Sequence, residues 1–145
     1  MSDQPSPFIP ALKYNFLTSL FDPILRWTLR DKVFKSALID QAQVEHDFKV
    51  LDVGCGTGTL LIELKKRFPS TQTYGLDRDP RILSLAERNA AASGVALNLE
   101  RAMSIEMPFE DASFDRVFSS LFFHHLSRSD KETTFRDIRR VLRPA

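Results

Sequence analysis

The 145-residue chain has little cysteine, no excess of charge of one sign and no long apolar run. Its single cysteine, Cys55, excludes an intrachain disulfide and a multi-cysteine zinc site, so a reduced, cytoplasmic location is expected. The 20 Lys and Arg against 19 Asp and Glu leave a net charge of +1, without the basic excess typical of nucleic-acid binding. No stretch approaches the roughly 20 apolar residues of a membrane span. The proline-rich start, Met1 to Pro10, has no basic residue and lacks the plan of a signal peptide.

The composition, 43% hydrophobic and 27% charged, is that of a globular protein. We expect a flexible tail over residues 1–12 and a helical segment over residues 13–44. Asp22-Pro23 has the pattern of an N-cap followed by proline at the first helical position, which predicts a separate helix over 23–41. The basic face of this helix suits either a membrane or lipid-like surface or the outside of a cap over a binding site. We favour the cap, with three candidate wall residues: Tyr14, Phe16 and Phe21.

Residues 45–145 form the predicted main domain, in which strand and helix patterns alternate. Strands are expected at four ranges: 48–53, 71–76, 97–100 and 114–120. Helices are expected at 59–68 and from Asp79-Pro80 to a glycine C-cap near Gly94. A capping box at Ser129 to Glu132 predicts the start of a last helix, whose expected buried face holds Phe135, Ile138, Val141 and Leu142. This alternation predicts an α/β fold with a parallel sheet covered by helices.

The glycine-rich segment from Val50 to Gly58 predicts a ligand-binding turn between a strand and a helix. A dinucleotide fingerprint would need a third glycine at position 59, where the chain has Thr59. The carboxylate of Asp52 would repel a pyrophosphate and attract a cationic centre. Asp77 lies 21 residues after Gly56, the spacing at which a carboxylate binds ribose hydroxyls. A ligand with a ribose and without a pyrophosphate is therefore predicted, and an adenosyl group carrying a sulfonium fits both statements.

This segment resembles motif I of the class I S-adenosylmethionine-dependent methyltransferases. The resemblance covers residue 48 to the C-terminus. Within the family, the chain is most similar to the small-molecule group that contains the ubiquinone and menaquinone biosynthesis methyltransferases. It extends through four further segments: Gly75-Leu76-Asp77, Met107-Pro108-Phe109, Ser113-Phe114-Asp115 and Val141 to Pro144. The resemblance implies a Rossmann-like parallel sheet with helices on both faces. It also implies methyl transfer from S-adenosylmethionine to a small apolar or aromatic molecule.

The resemblance also implies which residues hold the cofactor. Asp52 and the backbone of Gly54, Gly56 and Gly58 would surround its methionine part. Asp77 would bind the ribose, and Arg78 would flank the adenine. Met103 stands where the family often has an aspartate that contacts adenine, so the adenine would rest on Met103 and Ser104. The predicted cofactor-binding set is completed by Cys55, Thr59 and Ser119.

The adjacent histidines His124 and His125 follow the fourth strand, where nucleic-acid amine methyltransferases often carry an Asn/Asp-Pro-Pro-Tyr element. That element is absent, which disfavours a nucleic-acid amine as acceptor. Adjacent histidines are expected to point in different directions, and without a third ligand they rarely hold a metal. The main expectation is a structural role, with one ring packed beneath the loop. The alternative is a general base, for which His124 is the candidate catalytic residue.

Two other functions stay open on the sequence alone, a nicotinamide oxidoreductase and a cofactor-binding fragment without independent catalysis. The family fold has seven strands, and only four are expected here, so we expect the last three to be absent. The fourth strand would then be an open edge carrying Val117 and Phe118, and such edges recruit another strand. We therefore expect a chain that derives from a longer protein or forms a homodimer through this edge.

Overall fold

The computed structural model describes residues 12–120 and 122–145, with side chains from residue 27 onward. Apart from Leu12, the tail predicted over residues 1–12 lies outside this description. The side chains of the three candidate wall residues also lie outside it: Tyr14, Phe16 and Phe21. From Leu12 on, the described residues divide into two compact units, one that ends at Leu38 and one that begins at Ile39. No helix in the described part of the chain is long and apolar enough to cross a membrane.

The first unit holds most of one long helix, α1, which spans Leu12–Gln41. This helix runs without a break through Asp22 and Pro23, so the predicted separate helix from Pro23 is wrong. Proline lacks one backbone donor, but its fixed φ is close to the helical value, and the helix continues past it with one hydrogen bond fewer. Within α1 the Lys35 ammonium lies 2.6 Å from the carboxylate of Asp31, one turn earlier.

The second unit alternates strands and helices, as predicted. In chain order its elements are β1 (Lys49–Val53), α2 (Thr59–Arg67), β2 (Gln72–Asp77), α3 (Pro80–Ala92), β3 (Asn98–Arg101), β4 (Arg116–Phe118), a 3₁₀ turn (Phe123–His125) and α4 (Arg128–Val141). All four strands are parallel, in the order β3-β2-β1-β4. The parallel sheet expected from the alternation is confirmed.

The central strand β1 is covered on both faces. Its residues from Val50 to Val53 are at most 1% exposed, and successive residues of a strand point to opposite faces. A Cβ built on Gly75 of β2 would lie 3.0 Å from Leu61 of α2. The preceding residue, Tyr74, packs instead against the core cluster that contains Val141 of α4. Helices α2 and α4 therefore cover opposite faces of the sheet.

Strand β4 is shorter than the predicted 114–120. Its three residues pair with Val50, Leu51 and Asp52 of β1. Phe114 instead forms a bridge with Leu142, because its N–H donates to Val141 O at 2.9 Å and its carbonyl accepts from Arg143 N. Phe114, the first residue of the predicted strand, therefore pairs with the end of the chain instead of extending β4.

Helix α3 begins and ends as predicted, whereas α4 begins two residues early. The Asp79 carboxylate caps α3 by accepting from Arg81 N at 2.9 Å, and Gly94 follows that helix with φ +71°. The N-cap of α4 is Ser127, whose hydroxyl accepts from Asp130 N, so the capping box at Ser129 is wrong. Both serines fit the sequence pattern, but only Ser127 has the extended backbone that an N-cap requires.

The buried face of α4 also differs from the prediction at one position. Phe135 is 56% exposed, while its neighbour Thr134 is fully buried. The hydroxyls of Thr134 and Ser104 lie 2.9 Å apart, which satisfies a polar group at this buried position. Phe135 stacks on the ring of Phe123, with centroids 4.6 Å apart and planes 15° from parallel.

Candidate functional site

A cavity of about 370 Å³ opens beyond the carboxyl ends of the strands, where parallel α/β sheets place their ligands. Every strand of the sheet is followed by residues that line it. The lining residues are Gly54, Leu76, Asp77, Arg78, Asp79, Ile82, Ala102, Met103, Ser104, Ser120, Phe122, His125 and Leu126. Five of the predicted cofactor-binding residues therefore line the cavity: Gly54, Asp77, Arg78, Met103 and Ser104.

Asp77, the last residue of β2, connects the glycine loop (residues 54–58) to the start of α3. Its Oδ2 accepts from Gly56 N at 3.1 Å, and its Oδ1 accepts from Asp79 N at 3.0 Å. A carboxylate has about four lone-pair positions, so two remain for a ligand. The sequence separation of 21 residues between Gly56 and Asp77 therefore corresponds to a direct hydrogen bond in the structure.

The three glycines of the glycine loop share a positive φ, and two of them also have a close neighbour at the Cβ position. Gly54, Gly56 and Gly58 all have positive φ, +73°, +55° and +78°, a region that other residues rarely adopt. A Cβ on Gly54 would lie 2.5 Å from the Phe122 ring, whereas a Cβ on Gly56 would meet nothing within 4 Å. A Cβ on Gly58 would approach Ala86 of α3 at 3.2 Å. Gly56→Val would therefore strain the backbone, so a loss of cofactor binding in that variant would not report steric blocking alone.

Asp52 and Cys55 have buried side chains that do not line the cavity. Asp52 is 1% exposed and Cys55 is 7% exposed. Burial, together with the carboxylates of Asp52 and Asp77, raises the pKa of the Cys55 thiol to about 12. The N–H groups of Gly54 and Cys55 both donate to Leu76 O, at 2.8 and 3.0 Å. The structure thus shows a packing role for Cys55, and its predicted contact with the cofactor stays a prediction.

The other predicted contacts are divided between the cavity and the fold. Arg78 is exposed and lines the cavity, as does Met103, which is 48% exposed. Ser104 lines it too, although its hydroxyl is next to that of Thr134. Ser119 donates to Val53 O at 3.2 Å and joins β4 to β1, while Ser120 lines the cavity in its place. Thr59 begins α2 and is exposed outside the cavity lining.

The histidine pair differs from the expectation in two ways. Both residues are exposed, so the expected packing of one ring beneath the loop is wrong. Their rings nevertheless lie together in the 3₁₀ turn, with centroids 3.9 Å apart. His125 lines the cavity and His124 does not. In the described residues, no three His, Cys, Asp or Glu side chains are grouped as metal ligands.

Sequence reasoning missed several residues of the cavity wall. Ile82, Ala102 and Leu126 supply apolar surface, and Asp79 supplies a carboxylate next to that of Asp77. Asp79 was identified only as a helix cap, although its adjacency to the end of β2 was a usable signal. Phe122 had no such signal, because its contact with Gly54 joins residues 68 positions apart.

Comparison with known proteins identifies the family. A model of the methyltransferase domain family matches residues 50–145, more than half of the chain. The chain is 32% identical over 136 residues to a demethylmenaquinone methyltransferase of Thermus thermophilus, covering 92% of this chain and 58% of that one. A protein of the same name from Deinococcus radiodurans is 33% identical over 114 residues, with coverage of 79% and 46%. The chain thus spans about half the length of these curated relatives.

Solved structures show the same fold. The YcgJ protein of Bacillus subtilis superposes with a TM-score of 0.68 at 26% identity, over 75% of this chain and 45% of that one. An S-adenosylmethionine-dependent methyltransferase of Aquifex aeolicus has a TM-score of 0.66 at 24% identity, over 76% and 58%. None of these matches supports a nicotinamide oxidoreductase. The chain belongs to the class I S-adenosylmethionine-dependent methyltransferases, and its relatives include those of menaquinone biosynthesis.

Proposed function

We propose that this protein transfers a methyl group from S-adenosylmethionine to a small apolar or aromatic molecule. The observation that carries the proposal is the Asp77 carboxylate, which lines the cavity while it holds Gly56 N at 3.1 Å. This hydrogen bond joins Asp77, the candidate ribose-binding residue, directly to the glycine loop. The family match to residues 50–145 supports the same activity.

Three features of the cavity suit the cofactor: a carboxylate, apolar surface and an accessible stretch of backbone. The half-buried Asp77 has lone pairs for two ribose hydroxyls. Next to it, Ile82, Ala102 and Met103 offer apolar surface for a flat ring. A Cβ built on Gly56 would have no neighbour within 4 Å, so a ligand can approach the backbone closely there. One feature opposes the fit, the ring of Phe122 against Gly54.

In this proposal Asp77 orients the ribose, while Arg78, Met103 and Ser104 flank the adenine. Asp52 and the backbone of Gly54, Gly56 and Gly58 surround the methionine part. The proposed cofactor-binding set is completed by Cys55, Thr59 and Ser119. The bound cofactor supplies an already activated methyl group on a sulfonium. The chain's contribution is therefore mainly orientation and exclusion of water.

A base is needed only where the acceptor must lose a proton. His124 was the candidate from the sequence, but His125 is the histidine that lines the cavity. We therefore add His125 as a second candidate for this role.

For the acceptor we propose an aromatic ring system, because two relatives are demethylmenaquinone methyltransferases. The helical segment 13–44 stays a proposed cap, with wall residues Tyr14, Phe16 and Phe21. The cytoplasmic location expected from the single cysteine also stays part of the proposal. We also propose that the chain forms a homodimer through β4, which is an edge strand of the described sheet. Light scattering would test this.

Calorimetry with S-adenosylhomocysteine tests the cofactor site. Asp77→Ala removes the ribose acceptor and the contact to Gly56 N, and should weaken binding by about 1–3 kcal/mol, roughly 5- to 150-fold. Glu110→Ala is the matched control, since Glu110 is exposed and outside the cavity lining. Unchanged affinity in Asp77→Ala would remove Asp77 from the site.

A turnover assay tests the activity. The chain is incubated with S-adenosylmethionine and a panel of phenols, quinols and aliphatic amines, and release of S-adenosylhomocysteine is measured. We expect turnover with quinols above the rate without acceptor. Binding of S-adenosylhomocysteine without turnover on any acceptor would instead indicate a cofactor-binding module.

A further inference from the structure

The ring of Phe122 lies at one end of the cavity, against Gly54. The Cγ and Cδ2 atoms of Phe122 are 2.5 Å from the position that a Gly54 Cβ would take. Both residues line the cavity. The absent side chain of Gly54 therefore leaves a space that an aromatic ring fills, next to backbone that the proposed function assigns to the cofactor.

The order of the strands defines the direction of an elongated ligand in the cavity. The wall residues Ala102 and Met103 follow β3, Asp77 ends β2, Gly54 follows β1, and Phe122 follows β4. These strands lie side by side in the order β3-β2-β1-β4. If Asp77 holds the ribose and the apolar residues after β3 hold the adenine, the other end of the ligand points toward Gly54 and Phe122.

We propose that Phe122 competes with the amino-acid end of the cofactor and so determines which adenosyl ligands the cavity prefers. This inference rests on the proposed function. A ligand that ends at the ribose and sulfur can bind with the Phe122 ring in place. A ligand that carries the amino-acid chain binds only after the ring leaves Gly54, and its apparent affinity falls by the fraction of molecules in which the ring has moved.

The ring is held in this place by a series of aromatic contacts. Phe122 packs against the core cluster and meets Phe123 edge to face, with centroids 6.0 Å apart. Phe123 in turn stacks on Phe135 of α4 at 4.6 Å. The 3₁₀ turn is closed by His125 N donating to Phe122 O at 3.2 Å. Phe135, outside the cavity lining, is therefore a positioning residue that acts on Phe122 through Phe123.

The test compares two ligands, S-adenosylhomocysteine and 5′-methylthioadenosine, which lacks the amino-acid end. Their dissociation constants are measured by calorimetry on the full chain and on four variants. Phe122→Ala should raise the affinity for S-adenosylhomocysteine by about fivefold or more, because this longer ligand must displace the ring. The affinity for methylthioadenosine should change by less than about twofold. Phe122→Leu should show the same change to a smaller extent.

The variants of Phe135 test the positioning role. Phe135→Ala removes the stack and should tighten S-adenosylhomocysteine by about two- to threefold, again without an effect on methylthioadenosine. Phe135→Tyr retains a stacked ring and should restore the wild-type ratio of the two affinities. If Phe122→Ala does not fold, Phe122→Leu and Phe135→Ala decide the question.

Several results would overturn the inference. Weaker binding of S-adenosylhomocysteine by Phe122→Ala would show that the ring is a contact of the ligand, not a competitor. An unchanged ratio of the two affinities in all variants would remove Phe122 from ligand selection. In both cases, methylthioadenosine binding by the wild type would still support the proposed function. Failure of the wild type and of every variant to bind either ligand would overturn the proposed function and this inference together.

Discussion

The two ends of the cavity are built by different kinds of contact. At the β2 end, the Asp77 carboxylate accepts hydrogen bonds from Gly56 N of the glycine loop and from Asp79 N at the start of α3. At the β4 end, Phe122 meets Gly54, and Phe123 stacks on Phe135. Hydrogen bonds with fixed backbone geometry demand particular residue types at particular spacings, so the first end has a sequence signature. Aromatic packing accepts many residues and joins distant positions, so the second end has none.

The largest expected effect is on the glycine that joins the two ends. Gly54→Ala places a Cβ 2.5 Å from the Phe122 ring at a φ of +73°. Backbone strain of about 1–2 kcal/mol and overpacking of about 1–3 kcal/mol should together lower the free energy of unfolding by about 3 kcal/mol. Urea unfolding followed by circular dichroism measures this loss.

Gly56→Ala is the matched control for Gly54→Ala. It has a similar φ, +55°, but open space at the Cβ position, so only the strain of about 1–2 kcal/mol should appear. In a Phe122→Ala background the loss from Gly54→Ala should be smaller but should stay above that value, because the ring is absent while the Cβ of residue 122 remains 2.7 Å from the added carbon. Equal losses for the two glycines in the wild-type background would contradict the contact between Gly54 and Phe122.

A second difference concerns how α4 is attached. The stack of Phe135 on Phe123 contains no titratable group. Among the polar contacts of α4, the Asp137 carboxylate forms a titratable one, the polar attachment: it accepts from Met107 N at 2.7 Å and from Arg140 Nε at 2.6 Å. Partial burial raises the pKa of Asp137, but the hydrogen bonds from Arg140 and Met107 N outweigh it, and the net pKa lies below the usual aspartate value. The polar attachment should therefore weaken in acid.

Asp137→Ala measures the polar attachment. At pH 7 it should lower the free energy of unfolding by about 2 kcal/mol, since it leaves the N–H of the buried Met107 without its acceptor. Because the folded-state pKa is lowered, the contribution is complete above the unfolded value near 3.9 and is lost as the pH falls through the folded value. Unfolding curves from pH 7 to pH 2 should show the variant and the wild type converging. A difference independent of pH would contradict the titration of Asp137.

The smallest expected effect concerns a support of the glycine loop from α3. Asn89 Nδ2 donates to Thr57 O at 3.1 Å, at an exposed position. Asn89→Ala should reduce stability by about 0.5–1 kcal/mol and weaken S-adenosylhomocysteine by less than about threefold, as for one exposed hydrogen bond. Arg88→Ala, at the exposed neighbouring position, is the control. A tenfold loss of affinity in Asn89→Ala would show that loop position depends on this side chain more than on backbone contacts.

Most of the second unit could be predicted because its signals are local. Hydrophobic periodicity, Asp79-Pro80 and Gly94 located the strands and the limits of α3 within one or two residues. Errors occurred where two local signals compete, as at Pro23 and at the serines 127 and 129. Neighbouring structure decides such cases, since a helix can absorb one missing hydrogen bond and either serine can serve as a cap.

The candidate site divides in the same way. Asp77 and the positive-φ glycines follow from sequence, because no other residue types meet their backbone and charge requirements. The motif residue Asp115 was also visible, but its role was not. It accepts from Lys49 N at 2.7 Å and from Arg143 at 2.8 Å, and so joins β1, the start of the β4 region and the end of the chain.

The sequence by itself determined the parallel α/β fold, the family and the carboxylate at the end of β2. Each depends on short-range patterns that backbone geometry imposes on residue type. Only the tertiary structure decided that His125 lines the cavity and that Phe122 fills the space beside Gly54. It also decided that Phe135 is exposed and stacked on Phe123, while Thr134 is buried. These outcomes depend on how the 3₁₀ turn and α4 pack against each other, and packing between distant segments leaves no fixed spacing in a sequence.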